Sequence, residues 1–92
     1  MDTNYIKNKA RDSVALIVKL LTEIQNNNLG NTFYEYNGIT NCFKVKIELS
    51  EHIEISNLDL EYDLYLGGVD YEQSKFDKVV EDLKEILFYD ED

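Results

Sequence analysis

The fold of this chain is decided by residues 32–49, which read TFYEYNGITNCFKVKIEL. Residues 32–36 are rich in β-forming types, and Asn37-Gly38 is a strong short hairpin signal. After the turn, apolar and charged residues alternate, which is typical of a strand with one buried face. The apolar positions are Phe43, Val45, Ile47 and Leu49, and the charged ones are Lys44, Lys46 and Glu48. This stretch predicts two antiparallel strands joined by a hairpin.

A second alternating segment covers residues 58–66 and ends at Gly67-Gly68. Its inward positions are Leu58, Leu60, Tyr62, Leu64 and Leu66, and its outward positions are Asp59, Glu61, Asp63 and Tyr65. An irregular link containing Ile53 and Ile55 precedes it, and these two residues either extend the preceding strand or lie under the sheet. We therefore expect an antiparallel sheet of three strands, with four strands as the alternative.

Helical periodicity flanks the sheet on both sides. Before it, apolar residues recur at spacings of three and four from Ile6 to Ile24, with Asp2 or Thr3 as the cap and a stop within residues 26–30. After it, Asp70 is the expected cap of a second helix, and Gln73 occupies the third position of a capping box. The buried stripe of this second helix is expected to comprise Phe76, Val79, Val80, Leu83, Ile86 and Leu87.

These elements predict one α+β domain over residues 1–92, since a chain of this length supports a single core. The order is an N-terminal helix, the antiparallel sheet and a C-terminal helix. Each helix has one apolar stripe, and a sheet with polar outward positions has one apolar face to offer. Both helices are therefore expected to pack on the same face of the sheet.

Charge is distributed unevenly along the chain. The net charge is −10, but residues 1–46 contain six basic and four acidic residues, a net of +2. Residues 47–92 contain three basic and fifteen acidic residues, a net of −12. Binding to phosphates requires Lys and Arg, so this balance argues against direct binding to nucleic acid or to an anionic membrane. An acidic surface that binds another protein fits it better.

The sequence contains no recognisable catalytic apparatus. It lacks a glycine-rich phosphate loop, a GxSxG elbow and an HExxH motif, and we predict neither enzymatic activity, nor a cofactor, nor a metal. Cys42 and His52 are the only candidates for a catalytic nucleophile and base, and nothing nearby would activate them; Cys42 is expected to be partly exposed. One cysteine, no secretory signal and no long apolar run predict a cytoplasmic protein, located in the host cytoplasm if the source is viral.

Three groups of residues are candidates for binding a protein partner. Acids line one face of the third strand and one ridge of the second helix, where like charges repel each other, and more acids follow at the C-terminus. A purely solvated surface is the equal alternative. Together the three groups are expected to form one acidic patch. The candidate residues are Asp59, Glu61, Asp63 and Tyr65; Asp77, Glu81 and Glu85; and Tyr89, Asp90, Glu91 and Asp92.

The function that these features favour is inhibition by mimicry of nucleic-acid charge. The partner would be a basic nucleic-acid-binding enzyme such as a CRISPR effector or a restriction nuclease. Small size, acidity and the helix–strands–helix order are similar to those of several small phage-encoded anti-CRISPR and anti-restriction proteins. That similarity concerns general character, and it assigns no role to any residue. Two alternatives stay open: an immunity protein or antitoxin that neutralises a basic toxin, and a structural accessory protein that forms dimers. The chain itself is expected to be a monomer or a homodimer.

Overall fold

The structure, a computed structural model, describes residues 3–55 and 58–89. Its elements are α1 (Thr3–Asn26), β1 (Gly30–Asn37), β2 (Cys42–Leu49), β3 (Glu61–Tyr65) and α2 (Gln73–Leu87). The strands form one antiparallel sheet in the order β1-β2-β3. The predicted α+β fold is confirmed, with three strands among the described residues.

The end of α1 follows the chemistry of its sequence. The helix ends at Asn26, and Asn28 adopts a left-handed conformation with a φ of 58°. The Leu29 N–H then donates to the Ile24 carbonyl oxygen at 3.1 Å, which closes the last turn. Asparagine tolerates this conformation better than most residues, so the predicted stop is confirmed. The expected cap Asp2 lies outside the described residues.

The hairpin is present, but its loop is longer than a two-residue turn. β1 ends at Asn37 and β2 begins at Cys42, which leaves four residues between the strands. The Asn37 side-chain oxygen accepts the backbone N–H groups of Ile39 at 2.9 Å and Thr40 at 3.3 Å. Asn41 supplies the left-handed residue, with a φ of 55°. The asparagine side chain thus organises the loop in place of Gly38.

The predicted N-cap of the second helix, Asp70, is wrong by two residues. Asp70 lies in a turn where Gly68 has a φ of 78° and the Tyr71 N–H donates to the Gly68 carbonyl oxygen at 3.4 Å. The helix begins at Gln73, and the N-cap residue Glu72 makes no side-chain capping bond. The chain is still reversing its direction at Asp70, because the two glycines extend the turn beyond the strand.

The core lies between the sheet and the two helices, which pack on one face of the sheet and against each other. α1 contacts β1, whereas α2 contacts β3. Val80 and Leu87, both expected in the buried stripe of α2, are half-buried. Neither helix among the described residues is long and apolar enough to cross a membrane. The buried residues of the core are Ala10, Ile17, Leu20, Leu21, Ile24, Phe43, Val45, Ile47, Leu64, Phe76, Val79, Leu83 and Ile86.

Cys42 is buried, contrary to the expectation of partial exposure. Only 3% of its surface is accessible, although it lies on the same side of β2 as the exposed Lys44. β2 is the central strand, and Cys42 is flanked in register by Asn37 on β1 and Tyr65 on β3. A small side chain between two larger neighbours is shielded even on the outer face of a sheet.

Candidate protein-binding surfaces

The first candidate surface is the β3 row, defined as Asp59, Glu61 and Asp63. All three side chains are exposed, whereas Leu64 on the opposite face of the strand is buried in the core. The helices cover the face that carries Leu64. The β3 row therefore lies on the outer face of the sheet, as the alternation predicted.

Lysines of the neighbouring strand lie opposite the β3 row. Lys46 is the register partner of Glu61, with its Nζ 3.9 Å from Glu61 Oε1. Lys44 is the register partner of Asp63 on one side and of Glu35 on the other. Opposite charges directly across an antiparallel pair of strands stabilise the pair by roughly 0.2–1 kcal/mol. The outer face is thus partly neutralised by the protein's own cations.

Further lysines reach the β3 row from the helix. A depression between β3 and α2 is lined by the three acids of the row together with Ser74, Lys75 and Lys78. Each acid of the row therefore has a lysine on a neighbouring element within the same surface region. The row has the composition of a charge-balanced sheet face rather than of an isolated anionic strip.

The second candidate surface is the α2 ridge, defined as Asp77, Glu81 and Glu85. These side chains are exposed and follow one another at intervals of four residues. At 100° per residue, the ridge lies opposite the buried stripe that contains Phe76 and Leu83. The amide nitrogen of Gln73 donates to Asp77 Oδ1 at 3.1 Å, and this hydrogen bond comes from a neutral group.

The β3 row belongs to the sheet layer and the α2 ridge to the helix layer. The sheet and the helices form two layers, and each acidic group faces outward from its own layer. The row lies on the outer face of the sheet and adjoins Ser74, Lys75 and Lys78 of α2 in one depression, whereas the ridge lies opposite the buried stripe of α2. The strongly acidic second half of the chain thus supplies exposed acids to both layers.

Asp82 is the acid that sequence reasoning missed. Its side chain is 1% exposed, between Tyr62 of β3 and Lys78 one turn earlier in α2. Lys78 Nζ donates to Asp82 Oδ1 at 2.5 Å, and the Tyr62 hydroxyl lies 2.9 Å from Asp82 Oδ2. The same hydroxyl also contacts the Asp59 carbonyl oxygen, so its one proton serves two acceptors. The i,i+4 spacing of Lys78 and Asp82 was the signal available in the sequence.

This buried carboxylate changes the ionisation of its neighbours. Burial, and then the hydrogen bond to Asp82, raise the pKa of the Tyr62 phenol. The hydrogen bond to Asp82 raises the pKa of the Lys78 ammonium, desolvation opposes this, and Glu81 and Glu85 add to the rise. Lys78 is therefore held at Asp82, where its charge is shared with a buried acid as well as with the ridge.

Two aromatic residues lie at the C-terminal end of the α2 ridge. Phe88, which sequence reasoning did not select, is 80% exposed. Tyr89 is half-buried, and its hydroxyl accepts the Glu54 N–H at 3.4 Å. Both line a groove with Ile55, and the same groove includes Glu81, Lys84 and Glu85. The ridge therefore ends in an apolar spot bordered by carboxylates.

The remaining candidate residues have different placements. Tyr65 is half-buried on the outer face of the sheet, across from Cys42. Asp90, Glu91 and Asp92 lie outside the described residues. Within the ranges 3–55 and 58–89, no group of three or more His, Cys, Asp and Glu residues is arranged to hold a metal ion.

Compared with known proteins, the chain matches no family model, and no curated protein or solved structure is significantly similar to it.

Proposed function

We propose that this protein is an acidic inhibitor that binds a basic nucleic-acid-binding enzyme and competes with nucleic acid for its basic surface. A CRISPR effector or a restriction nuclease is the class of enzyme that fits. The observation that carries the proposal is the α2 ridge, where three exposed carboxylates share one helical face. The β3 row is secondary, because Lys44 and Lys46 lie opposite its acids.

The spacing of the ridge supports mimicry of a single nucleic-acid strand. Four residues of helix rise about 6 Å, so the three carboxylates span about 12 Å. One strand of duplex DNA carries a phosphate about every 3.4 Å of axis, or about three to four over the same length. At one carboxylate per about 6 Å, the ridge therefore has a little over half the linear charge density of one strand and about 30% of that of a duplex, which is closer to a single strand.

The energetics of the ridge also support a binding role. Like charges at i,i+4 cost about 0.2–0.5 kcal/mol per pair in a helix, and the ridge contains two such pairs. Glu85 lies near the C-terminus of α2, where a cation is preferred. A cationic partner would relieve both penalties on binding, and Phe88 next to the ridge offers it an aromatic contact.

The test compares two variants with matched charge changes. The ridge variant is Asp77→Asn, Glu81→Gln and Glu85→Gln, and the row variant is Asp59→Asn, Glu61→Gln and Asp63→Asn. Each variant and the native protein are used to capture proteins from a lysate of the source or host cell. The proposal predicts a basic protein that the native chain and the row variant retain and that the ridge variant loses.

A competition assay then separates inhibition from simple association. Fluorescence anisotropy of a labelled nucleic acid bound to the captured protein is measured while the native chain is added. The expected result is displacement of the nucleic acid, with a weaker effect as ionic strength rises from about 50 to 500 mM. Binding that ignores salt over this range, or a complex that leaves the nucleic acid in place, would overturn the proposal.

A further inference from the structure

β1 is an edge strand, separated from the acidic strand β3 by β2. It spans eight residues, Gly30–Asn37, and pairs with β2 on one side. Its other side has no strand partner among the described residues. An edge of this length exposes backbone donors and acceptors that another strand can use.

Two hydrogen bonds show which residues of β1 point outward along this edge. The Thr32 N–H donates to Gln25 Oε1 of α1 at 2.9 Å, not to β2. Ile47, the register partner of Thr32, donates its N–H to Leu60 on the far side of β2 at 2.9 Å. Bonded and non-bonded pairs alternate along an antiparallel ladder, so Tyr34 and Tyr36 also direct their N–H and C=O groups away from β2.

Pairing of another strand with this edge is blocked by a side chain at one end only. Gln25 occupies the Thr32 N–H, but no Lys, Pro or bulge follows in residues 33–37. Tyr34 and Tyr36 are each 53% exposed and Phe33 is 50% exposed, and Glu35 is the one charge in this stretch. Charges, prolines and bulges are the means by which native edges avoid pairing, so this edge is suited to it.

We propose that the free edge of β1 pairs antiparallel with β1 of a second copy, forming a six-stranded sheet around a two-fold axis. Symmetry and sheet geometry limit the register. The helices of both copies lie on the same side of the joined sheet only if even-numbered residues of one β1 pair with even-numbered residues of the other, and odd with odd. A register centred on Tyr34 meets this condition. It places Glu35 opposite Phe33 of the second copy, so the two glutamates do not meet.

Charge favours a second copy at this edge over any other contact between two such acidic chains. Residues 1–46 carry a net charge of +2 and residues 47–92 a net of −12. β1 and α1 belong to the first group and lie at the side of the sheet opposite β3. Pairing through β1 therefore separates the two strongly acidic halves and limits their repulsion.

The inner side of this edge adjoins an apolar groove that a second copy would cover. The groove has a volume of about 480 Å³ and lies between α1 and the hairpin end of the sheet. Val14 and Val18 of α1 are half-buried there, beside Tyr34 and Tyr36. Tyrosines of the second copy, facing Tyr34 across the new ladder, would shield these side chains from water.

Sedimentation equilibrium tests the association. The native chain is expected to show twice the 10.8 kDa mass of one chain at high concentration. The double variant Tyr34→Lys, Tyr36→Lys is expected to weaken association by at least tenfold, because four like charges then face each other. Ile39→Lys is the control, since Ile39 is 97% exposed in the hairpin loop and off the edge. A native mass of one chain up to about 1 mM would overturn the proposal.

Amide hydrogen exchange of the native chain locates the contact without any substitution. The Tyr34 amide is expected to exchange more slowly as protein concentration rises, whereas the Thr32 amide, already bonded to Gln25, is expected to change little. A dimer in which the exchange rate of the Tyr34 amide does not depend on protein concentration would contradict pairing through the β1 edge. Added salt is expected to strengthen this association between like-charged chains, the reverse of its effect on a basic partner, so the two proposals fail independently.

Discussion

The β3 row and the α2 ridge each contain three exposed acids, and they differ in what lies opposite them. Lys44 and Lys46 of β2 face the row across the sheet. The ridge faces solvent, where Asp77 accepts a hydrogen bond from the neutral amide of Gln73 and the cations Lys78 and Lys84 belong to the same helix. The number of acids in a segment therefore says little about an anionic surface, because the neighbouring element decides how much charge is left for a partner.

The adjacent residues Glu81 and Asp82 also differ in what surrounds their carboxylates. Glu81 is exposed on the ridge, whereas Asp82 is buried and accepts hydrogen bonds from Tyr62 and Lys78. One residue of helix is a rotation of about 100°, which is enough to turn a surface acid into part of the α2–β3 contact.

The largest effect on stability is expected at Asp82. Asp82→Ala removes hydrogen bonds to a fully buried carboxylate and leaves a space beside Tyr62, so the free energy of unfolding should fall by about 2 kcal/mol. Glu81→Ala is the control, with an expected change below about 0.5 kcal/mol. Urea denaturation measures both. Equal losses for the two variants would mean that the buried contact contributes nothing specific.

Removal of the Tyr62 hydroxyl is expected to have a smaller effect on stability, with a characteristic pH dependence. Tyr62→Phe should lower the free energy of unfolding by about 1 kcal/mol near neutral pH. The pKa values of Tyr62 and Lys78 are raised above their ordinary values of 10.0 and 10.5. Groups whose pKa is raised by folding stabilise the protein fully below those values, and the stabilisation is lost as pH rises beyond them.

Denaturation between pH 8 and 11 therefore tests the sign of this linkage. Native stability should decline above about pH 10, and Tyr62→Phe should make the decline shallower because one of the two groups is gone. A native protein that gains stability over this interval would contradict the contact between Tyr62 and Asp82.

Neutralising the two acidic surfaces should change stability in opposite directions. The ridge variant removes two repulsive i,i+4 pairs and an acid near the helix C-terminus, so it should gain about 0.5–1 kcal/mol. The row variant loses its attraction to Lys44 and Lys46 and should become slightly less stable. Thermal denaturation of both variants at low ionic strength measures the difference. A stability change of the same sign in both variants would remove the distinction between the two surfaces.

The smallest effect concerns the cross-strand pair itself. A double-mutant cycle with Lys46→Met and Glu61→Gln should give a coupling of about 0.3 kcal/mol, since the pair is exposed and its atoms are 3.9 Å apart. The coupling should vanish in about 0.5 M salt. A coupling near zero at low salt would leave the β3 row as open to a partner as the ridge.

The features that depend on local pattern were predictable from the sequence. Alternation placed the inward residues of β2, and spacings of three and four placed the buried residues of α1 and α2. The start of α2 and the exposure of Cys42 were predicted wrongly. The turn around Gly68 delays the helix past Asp70, and the neighbours in the sheet shield Cys42.

The candidate surfaces were predictable only in part, because they depend on pairing between segments distant in sequence. The outward direction of the β3 row followed from its period of two. Its alignment with Lys44 and Lys46 depends on the register between β2 and β3, which the sequence of the segment that joins these strands does not specify. Burial of Asp82 depends on which flank of α2 meets Tyr62, and helical periodicity alone does not specify that.

The most direct test is the dissociation constant of the complex with the captured basic protein, measured at one salt concentration for the ridge and row variants. If each ridge carboxylate contributes about 1 kcal/mol, the ridge variant should bind about 100-fold more weakly than the native chain. The row variant should stay within about threefold. A row variant that loses as much affinity as the ridge variant, or more, would contradict the account.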